Sequence, residues 1–292
     1  MITKCTIGGG VIAPQAKYFA QAPLPFVGQK RMFLQQFRAV LNQLITNDGE
    51  GWTIVDAFGG SGLLSHTAKR LKPNAHVIYN DFDGYAERLK HIDDINRLRQ
   101  ILSELLANYP RDRRLDIAMR HKVIDAIESF NGYKDPHILC AWLLFSGQQV
   151  KSINELYSRG FYNCIRQSDY TTADGYLDGI EVVNESFVTL LPKFADDSKA
   201  IFVLDPPYLC TKQASYKQER YFDLIDFLEL IRLTRPPYLF FSSTKSEFIR
   251  FVDWLIASKG DNWQSFVDYQ RIVIQTSASH NGQYEDNLIY NF

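Results

Sequence analysis

Residues 52–62, WTIVDAFGGSG, place a short apolar strand directly before a cluster of glycines. Residues 63–71, LLSHTAKRL, then have the apolar spacing of a helix, and residues 76–81, HVIYND, read as a second apolar strand. A strand, a glycine loop, a helix and a second strand in this order are typical of the first unit of a doubly wound parallel sheet. The sequence therefore predicts an α/β fold that begins near residue 52.

The alternation of strands and helices stops after this unit and resumes about a hundred residues later. From about 84 to 160 the apolar pattern is helical throughout, whereas strand patterns return at 181–194, 201–205 and 238–243, and twice more before the chain ends. We therefore predict a Rossmann-like sheet interrupted by a mainly helical insertion. The predicted units are a discontinuous α/β domain, residues 1–85 and 180–292, and a helical insertion, residues 86–179.

Composition places the chain among ordinary globular proteins. Of its 292 residues, 46% are hydrophobic and 22% are charged, and the net charge of −1 provides no overall basic field for nucleic acid. The four cysteines lack metal-ligand spacing, so no metal site is predicted. Because the longest apolar run, residues 138–145, is too short to span a bilayer and the N-terminus lacks a signal-peptide pattern, we expect a cytoplasmic protein without membrane contact.

The stretch IFVLDPPYLC (201–210) ends a predicted strand on an acid followed by two prolines. Proline cannot extend a sheet, so Asp205 is presented rigidly at the carboxyl end of the strand, where open α/β sheets bind ligands. A carboxylate and the next backbone carbonyl can accept both hydrogens of an aromatic amine and localise its lone pair, while an aromatic ring stacks on a flipped base. The candidate catalytic residues are Asp205, Pro206, Pro207 and Tyr208; the tetrapeptide alone is equally consistent with a strand exit and a turn.

Three further motifs precede this one. The loop DAFGGSG (56–62) would let a cofactor approach the backbone closely, although many such loops are tight turns. Asp81, with Asp83 as an alternative, lies about 20 residues on, where an acid can bind ribose hydroxyls, although solvated acids also end strands. In PLPFVGQK (23–30), Lys30 could meet a carboxylate and Phe26 could cover an apolar face, or the segment could be a loop leading into a helix.

In the order PFVGQK, FGGSG, YND, DPPY, these motifs resemble those of the Dam-type adenine-specific DNA methyltransferases. The resemblance spans nearly the whole chain, and it implies that residues 1–85 and 180–292 form the catalytic, S-adenosylmethionine-binding domain and residues 86–179 the target-recognition insertion. It implies site-specific transfer of a methyl group from S-adenosylmethionine to N6 of adenine in duplex DNA, with base flipping into a DPPY pocket, in a bacterial or phage-encoded, nucleoid-associated protein. By position, the resemblance implies a cofactor site formed by Phe26, Gly28, Lys30, Asp56, Phe58, Gly59, Gly60, Gly62, Asp81, Asn184 and Asp205.

Members of that family often carry an R-x-F-N-G-L-x-R-like stretch in the region that reads DNA. Here RGFYNCIR (159–166) keeps the two arginines and the phenylalanine but replaces the NGL centre, a departure that concerns the recognition sequence more than the chemistry. The basic segment TKQASYKQER (211–220) follows DPPY. The resemblance thus implies double-stranded DNA as the partner and, as DNA-binding residues, Arg159, Phe161, Arg166, Lys212 and Lys217.

Other functions remain alternatives at this point. An rRNA guanine-N2 methyltransferase also uses DPPY-like motifs, but it requires neither PFVGQK nor the long insertion. A catalytically silent DNA-binding relative would be favoured by an altered DPPY, which is intact here. A methyltransferase of small molecules or proteins is modestly disfavoured by the insertion and the basic segment. The target sequence, the oligomeric state and a role in restriction–modification stay open.

Overall fold

The computed structural model describes residues 17–145, 147–150, 152–208, 222–243, 247–279 and 282–292. Within these residues, seven strands form one sheet in the order β3-β2-β1-β4-β5-β7-β6. Strands β1 to β5 are parallel to one another, and β7 runs antiparallel between β5 and β6. The strands are β1 Thr53–Asp56, β2 His76–Asn80, β3 Ile180–Val183, β4 Ala200–Leu204, β5 Tyr238–Ser243, β6 Gln270–Ser279 and β7 Gly282–Asn291.

Ten α-helices occur in the same residues, together with short 3-10 turns. Among the described residues, no helix is both long enough and apolar enough to cross a bilayer. The helices are α1 Leu34–Leu44, α2 Leu63–Leu71, α3 Tyr85–Leu89, α4 Ile92–Leu105, α5 Ile117–Ser129, α6 Pro136–Leu143, α7 Ile153–Tyr157, α8 Phe187–Leu190, α9 Leu224–Leu233 and α10 Phe248–Ser258.

The central strands β1, β4 and β5 are buried on both faces, as expected for the predicted doubly wound α/β fold, which the structure confirms. Successive side chains of a strand point to opposite faces, and in β1 Ile54 packs with α1 and α2 whereas Val55 packs with α8, α9 and α10. Strand β4 follows the same alternation and is completely buried. Because both faces are covered, these strands are continuous apolar runs, which is the pattern that the sequence displays.

The helices α3 to α7 form a separate buried cluster together with residues of the N-terminal arm, which we define as residues 17–30. The buried ion pair of Arg88 in α3 and Asp135 before α6, 2.6 Å apart, ties two of these helices together. Asp135 also caps α6 by accepting from the backbone amides of His137 and Ile138. The helical character of this region agrees with the sequence pattern, while the limits of the insertion and its role in target recognition stay predictions.

Strand β1 lies between β2 and β4, and this position decides where a ligand can bind. The chain leaves β1 through α2 on one face of the sheet, and β4 leads toward α9 on the other face. A crevice therefore opens at the carboxyl ends of β1 and β4, the topological switch point where open α/β sheets bind their ligands. The two strands predicted near the end of the chain are β6 and β7, and a 3-10 turn, Trp263–Phe266, precedes β6.

Candidate active site

Asp205 follows the last residue of β4 and forms an ion pair across the crevice. Its Oδ2 lies 2.7 Å from Nζ of Lys30, and both side chains are almost buried, with 16% and 10% of their surface exposed. Lys30 also donates to the carbonyl of Gly28, and its ammonium lies 5.4 Å from the centre of the Tyr208 ring. Burial raises the pKa of the Asp205 carboxyl above its usual range, and the charge of Lys30 opposes that rise.

The glycine loop after β1, which we call the cofactor loop and define as Gly59–Gly62, is packed too closely for side chains. A Cβ on Gly59 would lie 2.2 Å from the ring of Tyr79, and a Cβ on Gly60 would lie 2.9 Å from the ring of Phe26. Gly60 and Gly62 also have φ angles of 51° and 70°, which favour glycine. The Ser61 amide lies at the start of α2, where the backbone favours polar or anionic groups, whereas the Gly62 amide donates to the Gly59 carbonyl at 2.7 Å.

Asp56, the last residue of β1, is buried with one carboxylate oxygen lacking a partner. Its Oδ2 accepts a hydrogen bond of 2.6 Å from the Ser65 hydroxyl, whereas its Oδ1 has no hydrogen-bond partner among the residues that the structure describes. Burial raises the pKa of Asp56 to about 7, the Ser65 hydrogen bond opposes this rise, and the nearby Asp205 carboxyl adds to it. An ionised oxygen buried without a partner is costly, so this position is suited to a cationic ligand group.

Asp81, after β2, is buried, and its carboxylate accepts hydrogen bonds from backbone amides. Its Oδ1 accepts from the amide of Tyr85 at 2.6 Å and lies 3.1 Å from the Tyr79 hydroxyl, and its Oδ2 accepts from the amide of Ala86 at 2.8 Å. The carboxylate thereby shapes the turn that starts α3. Asn184, after β3, donates to the carbonyl of Asp81 at 2.8 Å. The predicted roles of both residues toward a nucleoside stay predictions.

The N-terminal arm is bound to α3 through Tyr85, and this contact positions Phe26 and Lys30 near the cofactor loop and Asp205. The Tyr85 hydroxyl donates to the carbonyl of Leu24 and accepts from its amide, at 2.8 and 2.9 Å. Phe26 packs edge-on against the Tyr85 ring, with ring centres 5.7 Å apart. The arm, the cofactor loop and Asp205 thus converge at one edge of the sheet. In the described residues, no group of three or more His, Cys, Asp or Glu side chains could hold a metal ion.

Residues 26–229 match the family described as D12 class N6 adenine-specific DNA methyltransferase, so the match begins at Phe26 of the arm and includes Asp205. The chain belongs to this family. The chain is therefore a methyltransferase, and the family implies S-adenosylmethionine as the methyl donor.

Relatives of this methyltransferase include a Haemophilus influenzae protein named "Putative methyltransferase", which is 63% identical over 277 residues and covers 94% of each chain. A comparison with solved structures matches a "putative rRNA-methylase" from Clostridium thermocellum and a precorrin-6y C5,15-methyltransferase from Geobacter metallireducens. The former is 12% identical with a TM-score of 0.34 and covers 88% of this chain and 96% of its own. The latter is 10% identical with a TM-score of 0.31 and covers 91% and 94%.

The residues of the crevice fit the amino-acid part of S-adenosylmethionine, which carries an ammonium and a carboxylate. The unpartnered oxygen of Asp56 suits the ammonium, and the Lys30 ammonium suits the carboxylate. The close packing of the cofactor loop leaves backbone, not side chains, at the surface that a cofactor would meet. The chemistry of the donor set is thus consistent with the cofactor that the family implies.

Other predicted site residues of the methyltransferase have different surroundings. Phe58 packs between Phe187 and Phe222, with ring centres 5.4 and 5.8 Å away, on the α8 and α9 face of the sheet. Pro206 and Pro207 are buried. Gly28 has a φ of 85° and no atom near the place of a Cβ, so its conformation rather than a close contact calls for glycine.

The predicted DNA-binding residues divide into three groups. Arg159 and Arg166 are exposed; Arg159 pairs with Glu155 at 2.8 Å, and Arg166 lies over the ring of Tyr170. Phe161 is completely buried beneath the Arg120 guanidinium, and its predicted contact with DNA stays a prediction. Lys212 and Lys217 lie outside the described residues.

Three tyrosines that sequence reasoning missed hold the site together: Tyr79, Tyr85 and Tyr176. Each is fully buried and uses its hydroxyl to hold a backbone carbonyl of the arm or of the cofactor loop. Tyrosines in apolar patterns look like ordinary core residues, and no spacing rule distinguishes them. Their hydroxyls become informative only when the fold shows which carbonyl they reach.

Proposed function

We propose that this methyltransferase methylates N6 of adenine in duplex DNA, with the target base flipped into the crevice beside Asp205. The observation that carries the proposal is the almost buried carboxylate of Asp205 at the end of β4, held by Lys30 and flanked by Tyr208. A base inside a duplex cannot reach a carboxylate in such a crevice, so the base must leave the stack.

The proposed role of Asp205 follows from the electronics of the amine. The lone pair of an exocyclic amine is delocalised into the base, which makes the nitrogen a poor nucleophile. When Asp205 and the Pro206 carbonyl accept the two amine hydrogens, the nitrogen lone pair is directed out of the ring plane. Tyr208 stacks on the base and fixes its orientation, so that positioning supplies much of the rate. After transfer, the Asp205 carboxylate offsets the positive charge on the nitrogen until a proton leaves.

Bound S-adenosylmethionine supplies a methyl group on a positively charged sulfur that departs as a neutral thioether. In the proposed complex Lys30 binds the carboxylate of the methionine part and Asp56 binds its ammonium. Asp81 binds a ribose hydroxyl. An ionised carboxylate has about four acceptor sites, and the backbone amides of Tyr85 and Ala86 occupy two of those of Asp81. The segment at Asn184 contacts the adenine of the cofactor.

The product of the reaction tests the proposal. Purified protein is incubated with S-adenosylmethionine and unmethylated duplex DNA, and the DNA is digested to nucleosides for mass spectrometry. We expect N6-methyladenine, and sequencing with detection of modified bases then gives the target site. Parallel reactions with rRNA and with single-stranded DNA serve as controls. Methylguanine in RNA, or no methylated nucleoside in any duplex, would contradict the proposal.

A paired ribbon in the insertion supports DNA as the partner. Residues 111–115 pair antiparallel with residues 161–165, through Asp112 N–H to the Asn163 carbonyl at 2.9 Å and Leu115 N–H to the Phe161 carbonyl at 2.8 Å. This pairing brings RDRR (111–114) beside RGFYNCIR (159–166). Residues 86–170 contain 13 Lys and Arg against 11 Asp and Glu, but the arginines gather on this ribbon, which makes the positive charge local.

Arg113 and Arg114 are the residues on which we base a prediction about DNA binding. Both are exposed, and within the described residues neither forms an ion pair with a carboxylate. We expect the double substitution Arg113→Gln and Arg114→Gln to weaken DNA binding roughly tenfold at moderate salt. It should also reduce the slope of log K against log salt by about 2, since each lost phosphate contact contributes about 0.9. Fluorescence anisotropy with labelled duplexes measures both quantities.

The matched control for the ribbon is Arg250→Gln, a highly exposed arginine of α10 on the other side of the sheet. It should leave the affinity for DNA and its salt slope unchanged. Binding of S-adenosylmethionine by the ribbon variant should stay at the wild-type level, because neither arginine lies in the crevice. An unchanged salt slope in the ribbon variant would remove Arg113 and Arg114 from the DNA contact.

The raised pKa of Asp56 predicts how cofactor binding depends on pH. Only the ionised carboxylate attracts the cofactor's ammonium, and with a pKa of about 7 the free protein is increasingly protonated at Asp56 below neutrality. We therefore expect binding to be about fivefold weaker at pH 6 than at pH 7. The ammonium, with an ordinary pKa of about 7.7–8.0, stays charged over this range. Calorimetry measures the change; in Asp56→Asn the affinity should be weaker and almost independent of pH. A flat profile for the wild type would contradict the role of Asp56.

A further inference from the structure

Tyr176 links the end of the helical region to the cofactor loop. Its hydroxyl donates to the carbonyl of Ser61 at 2.9 Å, and both residues are buried. Tyr176 comes from the segment that returns to the sheet before β3, whereas Ser61 lies between β1 and α2. A side chain more than a hundred positions away in the chain thus holds the middle of the loop.

Tyr79 does the same for the preceding peptide. Its hydroxyl donates to the carbonyl of Gly60 at 2.7 Å. Because a peptide is planar and its C=O and N–H point in opposite directions, holding the carbonyl of Gly60 sets the direction of the Ser61 amide. Holding the carbonyl of Ser61 likewise supports the orientation of the next peptide, whose Gly62 amide donates to the Gly59 carbonyl at 2.7 Å. Two tyrosines therefore hold two consecutive peptide planes of a glycine-rich loop from outside the loop.

Tyr176 is itself held from α2. Nδ1 of His66 lies 2.7 Å from the Tyr176 carbonyl, and Nε2 lies 3.0 Å from the Phe19 amide. The two hydrogen bonds require a neutral imidazole that donates from Nδ1 and accepts at Nε2. Burial lowers the pKa of His66 to about 4, so the ring is neutral at pH 7. Its ring stacks on that of Tyr176 with centres 4.8 Å apart.

A second residue of α2, one helical turn after His66, also binds the segment that contains Tyr176. Arg70 donates to the carbonyl of Gly175, so residues 66 and 70 of α2 hold two consecutive carbonyls of the returning segment. Helix α2 starts directly after the cofactor loop. Helix α2 therefore contacts the returning segment through His66 and Arg70, and the returning segment contacts the cofactor loop through the Tyr176 hydroxyl.

We propose that Tyr176 is a positioning residue for the cofactor loop, so that the affinity for S-adenosylmethionine depends on a side chain contributed by the returning segment. The proposal rests on the proposed function in that the loop binds this cofactor. Tyr176 acts through the peptide of Ser61 and does not touch the target base. Its effect is expected on the cofactor and not on DNA.

The substitution Tyr176→Phe tests the proposal, since it keeps the ring stacked on His66 and removes only the hydroxyl. We expect the Kd for S-adenosylmethionine, measured by calorimetry, to rise about three- to tenfold, the range for a lost buried hydrogen bond. The KM for S-adenosylmethionine should rise by a similar factor, while the KM for DNA stays within twofold. Tyr238→Phe is the matched control, because the buried Tyr238 hydroxyl makes no hydrogen bond in the described structure.

A second variant, His66→Gln, loosens the grip on the Tyr176 carbonyl without touching the loop, and it should raise the same Kd by a smaller factor. Should Tyr176→Phe prove unfolded by circular dichroism, His66→Gln carries the test alone. Wild-type affinity in whichever of the two variants is folded would overturn the role of Tyr176 and leave the proposed function standing. If the wild-type protein bound no S-adenosylmethionine, the proposed function would fail and this inference with it.

Discussion

Replacing Asp205 by asparagine should reduce methyl transfer by a factor on the order of 10³ while the protein still binds DNA. Asparagine keeps the shape of the side chain but offers one acceptor oxygen instead of a carboxylate, and it cannot offset the charge that develops on the amine. The measurement is the single-turnover rate of methyl transfer to duplex DNA at saturating S-adenosylmethionine, together with DNA affinity by anisotropy.

Two controls sharpen this experiment. Asp196→Asn changes an exposed acid outside the crevice and should leave the transfer rate unchanged. Comparing Asp205→Asn with Asp205→Ala separates the lost charge from the lost volume, and we expect the alanine variant to be at least as slow. Asp205 would be excluded from the chemistry by a single-turnover rate within tenfold of wild type in the asparagine variant.

Replacing Lys30 by methionine should weaken the binding of S-adenosylmethionine by about 30- to 100-fold. Lys30 is the cation that the cofactor's carboxylate would meet, and its side chain is only 10% exposed, so water screens the interaction little. The substitution also removes the charge that opposes the rise in the pKa of Asp205. That pKa should rise further, so the acidic limb of the pH–rate profile should shift to higher pH. Calorimetry and pH–rate measurements test the two effects separately.

The matched control for Lys30 is Lys193→Met, which breaks an ion pair with Glu185 that is exposed to solvent. Such surface pairs contribute about 0–1 kcal/mol, so this variant should bind the cofactor with wild-type affinity. An unchanged affinity in Lys30→Met would remove Lys30 from the cofactor site. An unshifted pH–rate profile would show that Lys30 does not control the ionisation of Asp205.

The sheet and its order of motifs could be predicted from sequence because each rests on local chemistry. Buried parallel strands are apolar runs, glycines mark the loop after β1, and the two prolines end β4 at a defined residue. These signals place Asp56, Asp81 and Asp205 at the ends of neighbouring strands, which the structure confirms. The family was likewise predictable, since it depends on motif order along the chain.

The contacts of individual side chains with other segments could not be predicted in the same way. Asp81 carries the spacing of a nucleoside-binding acid, but its hydrogen bonds to the amides of Tyr85 and Ala86 become visible only in the fold. Phe161 has the position of a DNA-reading residue within its motif, yet it is buried under Arg120. The hydroxyl of Tyr176 is indistinguishable in sequence from that of any core tyrosine. In each case the missing information is which distant backbone group lies opposite the side chain.

The position of β1 in the middle of the sheet also bears on how the chain folds. Thr53 of β1 pairs with Ala200 of β4, so the two central strands meet only after the whole helical region has been synthesised. Closing so long a loop slows folding, and until β4 arrives the buried strand β1 has an open, apolar edge. A nascent or truncated chain that ends before β4 would carry an unpaired edge of this kind, which is a known template for aggregation. The sheet therefore cannot be completed until β4 has been synthesised and pairs with β1.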